Sequence, residues 1–216
     1  MLGIQIILWF ASGLFMTLPP IQQVRGEHLI VRDDPVAEPG ALARALDAYG
    51  PAPSRAELRR IGAQSVVVVD GPQGEKVFGG SGDLLEAPGE DEIASIATAH
   101  YAGSGRLAGV GLLTDAPLDY RGEMPVWQAR FADPDGTRFY LDATTGEVLK
   151  VRTRLWRVFD TMWMLHIMDY DERSDFNTWW LRLAAGAALI FSLTGMVLVV
   201  HRTAARVRRR RMVGRR

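Results

Sequence analysis

The sequence predicts an α+β domain held outside the cytoplasm between two transmembrane helices, and three observations carry that reading. All 25 acidic residues lie between Arg25 and Asp175, an interval bounded by two apolar segments, Leu2–Leu18 and Trp179–Val200. The last sixteen residues, His201–Arg216, hold eight arginines and no acid. Arginine excess marks the cytoplasmic flank of a membrane segment, while acids contribute little to orientation. Inside the acidic interval, β-branched runs bounded by turn residues follow helical patches, the pattern of helices covering one face of an antiparallel sheet. A net charge of zero over 216 residues conceals this segregation.

Residues 1–20 contain the first apolar segment. Its seventeen residues span about 26 Å as a helix, near the lower limit for crossing a bilayer. No basic residue precedes it and no small-x-small cleavage site follows Gly13, so it does not read as a signal peptide. It is expected to be a transmembrane helix truncated at its start, with the true start upstream of Met1. Pro19-Pro20 ends it, since neither proline can donate and each restricts its predecessor.

Residues 21–150 then form the extracytoplasmic domain. After an extended exit from Ile21 to Asp34, two similar passes of helix followed by strands are expected. The first has helical patches at 40–49 and 54–61, a valine-rich strand at 65–69, a turn at Asp70-Gly-Pro-Gln-Gly74 and a short return strand through Val77-Phe78. The second has a helix at 90–101, with Ile93, Ile96 and Ala97 on one face and Gly103 as its cap. Strands follow at 107–113, 125–132 and 137–142; Asp133-Pro-Asp-Gly136 joins the last two as a hairpin. Thr144-Thr-Gly-Glu147 turns the chain into Val148-Leu149.

Residues 151–178 read as an amphipathic interfacial helix, 151–168, and an acidic loop. Leu155, Phe159, Met162 and His166 fall on one narrow arc, with Arg154, Arg157, Asp160 and Thr161 elsewhere. Residues 179–201 form the second transmembrane helix. Its 22-residue apolar part carries one charge, Arg182, and spans about 33 Å. Trp179 and Trp180 occupy an aromatic-belt position, Asn177 or Asp175 would cap the helix, and Arg182 can snorkel to the interface. Ala184, Ala188, Ser192 and Gly195 form a small-residue stripe suited to a second helix, a homodimer included. Residues 202–216 are an arginine-rich cytoplasmic tail facing anionic lipid heads.

Composition excludes several function classes. From Arg25 to Thr178 there are 16 Lys+Arg against 25 Asp+Glu, a net of −9, which is the wrong sign for nucleic acid. There is no cysteine, so thiolate catalysis and Cys metal sites are excluded. No HExxH, phosphate loop or Ser/His/Asp arrangement is present, and nothing reads as a self-contained enzyme.

Val126-Trp127, Arg138-Phe-Tyr-Leu-Asp142 and Thr145-Gly-Glu-Val148 resemble the signature of the PepSY domain. The flanks Ile21-Gln-Gln-Val-Arg-Gly-Glu-His-Leu29 and Trp163-Met-Leu-His-Ile-Met-Asp-Tyr-Asp171 resemble PepSY-associated transmembrane proteins of bacteria. The resemblance implies an inner-membrane protein with its PepSY domain in the periplasm. Larger relatives include ferric-siderophore reductases that hold haem between membrane helices through histidines; others restrain or sense peptidases. This chain departs from that pattern in having two apolar segments and no flavin or nicotinamide domain.

His166 is the leading ligand candidate, because its arc faces lipid or the helix bundle, where an unpartnered imidazole is costly. The alternative is a ring bonded to a backbone carbonyl or to an acid such as Glu27 or Asp169. His28, nine residues past Pro19, is the partner a haem b at the outer membrane face would use with His166. His201, an interfacial residue at a helix end, and His100, at the end of a soluble helix, read as structural. Asp169, Asp171, Glu172 and Asp175 lack EF-hand spacing and read as solvated acids, with Arg173 or Arg182 as ion-pair partners. The leading expectation is a non-catalytic membrane protein that binds or regulates a membrane or periplasmic protein. It would do so through the sheet edge near Val126–Arg130 and the helix from Leu155 to His166. The alternative is a haem-bearing electron-transfer component of metal or siderophore reduction.

Overall fold

The computed structural model describes residues 2–36, 38–170, 175 and 177–213. The chain forms two compact units, one of Met1–Leu18 with Phe159–Arg216 and the other of Pro19–Val158.

The Pro19–Val158 unit is α+β with two antiparallel sheets rather than the one expected. After α2 (Ile21–Val24) and a 3₁₀ turn at Glu27–Leu29, helix α3 (Ala41–Tyr49) leads into β1 (Arg55–Ile61), β2 (Gln64–Asp70), β3 (Lys76–Phe78) and β4 (Leu84–Leu85). Helix α4 (Glu90–His100) leads into β5 (Arg106–Leu113), β6 (Val126–Ala132), β7 (Arg138–Asp142) and β8 (Val148–Arg152). Each pass is thus one helix and a four-stranded meander, in the orders β1-β2-β3-β4 and β5-β6-β7-β8.

Strand β2 shows how period two builds this core. Val67 and Val69 face α3 and pack with Ala41, Ala45, Tyr49 and Phe78. Val66 and Val68 point the other way, into a larger core with Ile93, Ile96 and Ala97 of α4 and with Ala129, Phe131, Phe139 and Leu141 of the second sheet. A strand buried on both faces reads as a continuous apolar run. Each fully buried valine contributes about 1.5–3 kcal/mol.

Residues 54–61 are the main correction. Arg-Ala-Glu-Leu-Arg-Arg-Ile has helical propensity, yet Arg55–Ile61 pairs residue for residue with Gln64–Asp70. Ala56 and Leu58 pack toward the α3 side, so alternation fits a strand and tertiary pairing overrides propensity. Part of the expected extended exit, Ile21–Leu29, instead coils into two short turns. Helix α4 ends with Tyr101, not Gly103, as its C-cap. Val151 and Arg152 belong to β8, and α5 (Arg154–Ile167) starts where the Thr153 hydroxyl accepts the Trp156 N–H at 3.1 Å.

In the other unit, α1 (Leu2–Thr17) has 16 residues, about 24 Å, short of the roughly 20 residues a span requires. Helix α6 (Trp179–Val213) runs 35 residues, through most of the arginine-rich tail. Its stretch Trp179–Arg206 is long and apolar enough to cross a membrane. Among the described residues there is one such helix, not the two expected. Thr178, rather than Asn177 or Asp175, caps α6, its hydroxyl accepting the Leu181 N–H at 3.4 Å. The Trp179 and Trp180 rings stack at 3.7 Å.

Candidate functional site

Apolar side chains of α1, α5 and α6 line an open cleft of about 640 Å³, and His166 lies on its wall. Ile6, Trp9, Leu14, Ile167, Leu181 and Ala188 supply most of the remaining surface. Gly13 lets the imidazole approach α1: a Cβ there would sit 3.3 Å from His166 Cε1. Beside it, Ser12 Oγ lies 3.1 Å from His166 Nδ1 and is almost wholly buried.

The hydroxyl carries one proton, and the Leu8 carbonyl 2.6 Å away takes it. Ser12 Oγ is therefore the acceptor toward His166, and Nδ1 carries the ring hydrogen. That tautomer leaves Nε2 with a lone pair, and among the described residues it has no hydrogen-bond partner. Among the described residues of its own unit, no acid is bonded to His166. Glu27 pairs with Arg25 at 3.8 Å, and Asp169 accepts the Asp175 N–H at 3.0 Å.

His28 is exposed on the Glu27–Leu29 turn of the Pro19–Val158 unit. Haem held between two imidazoles needs a second axial ligand and polar or cationic partners for its propionates. Among the described residues the cleft wall supplies one imidazole and no lysine or arginine. His201 is exposed on α6. Asp171, Glu172 and Arg173 lie outside the described residues. Among those described, no group of three or more His, Asp or Glu side chains is arranged to hold a metal ion.

His100 has a structural post with well-defined chemistry. Its Nε2 accepts the Gly62 N–H at 2.9 Å, and Nδ1 faces the Val31 carbonyl at 2.8 Å, so Nδ1 is the protonated nitrogen. The ring clasps the end of α4, the β1–β2 turn and the segment entering from residue 31.

Two polar networks had no signature in the sequence. Asp119, 6% exposed in the loop before β6, accepts the Tyr140 hydroxyl at 2.6 Å and faces Arg138 and Arg157 at 3.1 and 3.4 Å. Burial, then this bond to Asp119, pushes the Tyr140 phenol up to about 12. Tyr101 stacks on Phe131 at 3.8 Å and donates to Asp133 at 2.6 Å; burial first and Asp133 second raise it to about 12 as well. Asp160, expected on a polar helix face, is buried.

The expected edge at Val126–Arg130 is a second correction. Strand β6 lies between β5 and β7, so the free edges of that sheet are β5 and β8. Strand β5 makes its ladder with β6, and its eight residues enter no other backbone bond among those described.

The Thr-Thr-Gly-Glu turn closes the second sheet. Asp142 Oδ1 accepts the N–H groups of Thr144 and Thr145, both at 2.8 Å, while Gly146 takes a φ of +77°. A Cβ at Gly146 would stand 2.9 Å from Ile96 Cδ1, so only glycine fits both the turn and the packing of α4 over it. A family profile described as "PepSY: Peptidase propeptide and YPEB domain" matches residues 89–152, the stretch from the start of α4 to the end of β8. No curated protein and no solved structure matches the chain. The second helix-and-meander pass of this protein is a PepSY domain.

Proposed function

We propose that the chain is a membrane-anchored, non-catalytic PepSY protein whose extracytoplasmic unit binds or regulates a protein partner at the outer face of the inner membrane. The observation that carries this reading is the presence, in one chain, of a PepSY domain at 89–152 and of a helix, Trp179–Arg206, long and apolar enough to span a bilayer. The orientation rests on charge: eight arginines from His201 onward against a net of −9 between Arg25 and Thr178. PepSY domains are often regulatory or inhibitory, which agrees with the lack of any nucleophile-and-base arrangement in the sequence.

The free edge of β5 is the binding surface of this reading. It is eight residues long, contains no proline and carries one charge, Arg106. An unpaired edge of that kind accepts an extended segment of another chain by adding a strand. Two experiments test the reading. A reporter fused after Arg216 should be active only in the cytoplasm and one inserted near Gly80 only outside; the reverse pattern overturns the architecture. A photo-crosslinking side chain at Leu112 on β5 should capture a protein in intact cells, whereas one at exposed Leu42 on α3 should not. Equal capture at both positions, or none at β5, removes the proposed surface.

A further inference from the structure

The cleft between α1, α5 and α6 has a chemical bias that its size alone does not reveal. Its volume, about 640 Å³, lies within the roughly 300–1,000 Å³ of small-molecule sites. No acid, lysine or arginine is among the described residues lining it. A charged ligand would lie there without a counter-charge, so an uncharged one fits.

His166 and Ser192, two polar side chains among the described residues lining the cleft, each offer an acceptor. His166 Nε2 presents a lone pair because Ser12 holds the ring hydrogen on Nδ1. Ser192 Oγ gives its only proton to the Ala188 carbonyl at 2.8 Å, which leaves its lone pairs. Trp9 also lines the cleft, but its Nε1 is covered and does not open into it. Trp9 and Phe10 add aromatic surface suited to a flat ring.

We infer that this cleft binds a lipid-soluble hydroquinone, and binds it in preference to the corresponding quinone. A hydroquinone brings phenolic hydroxyls, one of which donates to Nε2 or to Ser192. The oxidised form brings only carbonyl oxygens, which would face those same lone pairs with no proton between them. Its isoprenoid tail suits the aliphatic wall of Ile6, Leu14 and Leu181. Ser12 is a positioning residue: it touches no ligand and acts by holding His166 in the accepting tautomer. The inference is independent of which protein the PepSY domain binds.

The test uses the full chain in lipid nanodiscs with decylubiquinol and decylubiquinone as probes, the bound fraction of each being measured by chromatography under anaerobic conditions. One hydrogen bond made by the reduced form and lost by the oxidised form predicts roughly tenfold tighter binding of the quinol. Ser12→Ala frees the tautomer, so its quinol-to-quinone ratio should fall toward one while both probes still bind. His166→Phe keeps a ring in the notch and should lose the preference. Helical circular dichroism and monodispersity verify that each variant is folded. Equal affinities in the wild-type chain, a preference for the quinone, or binding of neither probe overturns the proposal. So does an unchanged ratio in folded Ser12→Ala. A Soret band in protein made with haem available, lost in His166→Ala, would also overturn it by making His166 an iron ligand.

Discussion

Replacing His100 by leucine should unfasten the end of α4 from the β1–β2 turn. The two bonds of the imidazole are not equivalent. Gly62 is buried, so its N–H, now 2.9 Å from Nε2, would lose its partner with no water to replace it, at about 1–3 kcal/mol. Val31 is 37% exposed, so its carbonyl can turn toward solvent and the loss there is the net value of one bond, about 0.5–1.5 kcal/mol. Together the cost is about 1.5–4.5 kcal/mol. With a urea slope of about 1–3 kcal/mol per molar, the unfolding midpoint should fall by on the order of 1–2 M. The assay is urea unfolding of the full chain in detergent, followed by near-ultraviolet circular dichroism. Hydrogen exchange at Gly62 supplies a local readout. His100→Gln offers one donor and one acceptor and should recover part of the loss. A leucine variant as stable as the wild type would refute the argument, as would a glutamine variant less stable than the leucine one.

Gly146→Ala should cost about 1–2 kcal/mol in the same assay, because alanine is strained at a φ of +77° and its Cβ would stand 2.9 Å from Ile96 Cδ1; an unchanged midpoint would remove the packing explanation of the turn. Tyr101 and Tyr140 should ionise near 12 in an ultraviolet titration, lagging behind an ordinary phenol near 10. Between those values the folded chain binds more protons than the unfolded one, so stability should decline as pH rises from about 10 to 12, and a flat profile would contradict the burial of these hydroxyls. The Glu75 carboxyl is raised above 4.5, first by desolvation and then by Asp142, so its ionised form opposes folding. Glu75→Gln should therefore stabilise the protein at neutral pH, modestly because the side chain lies at the surface. The gain should shrink as pH falls through the raised value and vanish below 4.5, and a gain that grew on acidification would invert the reasoning.

The legible parts of this protein were those written at short range. The valine run Val66–Val69, the Asp-Gly turn at 135–136 and the Thr-Gly-Glu turn at 145–147 announced their strands and hairpins because period and φ preference act within a few residues. Arg55–Ile61 departs from its sequence expectation for the same reason: its local preference is helical, and only its neighbour β2 makes a strand the lower-energy choice. The edge expected at Val126–Arg130 failed because strand order is a property of the sheet, not of a strand. In the candidate site, His166 stood out as an imidazole on an apolar arc, but Ser12 and Gly13 looked like ordinary small residues of an apolar helix. Asp119 was one more acid in a loop.

By itself the sequence determined where charge and apolar length lie, hence the long apolar stretch after Trp179, the acidic interval and the arginine-rich end. It also determined the turn chemistry that marks residues 89–152 as a PepSY domain. Only the tertiary structure decided which side chains meet. Ser12 and His166 are 154 residues apart, and His100 and Gly62 are 38 apart. Propensity and periodicity are sums over neighbours in the chain, whereas the tautomer of a histidine depends on the one proton of the group it touches. That contact exists only after packing has brought the two helices together.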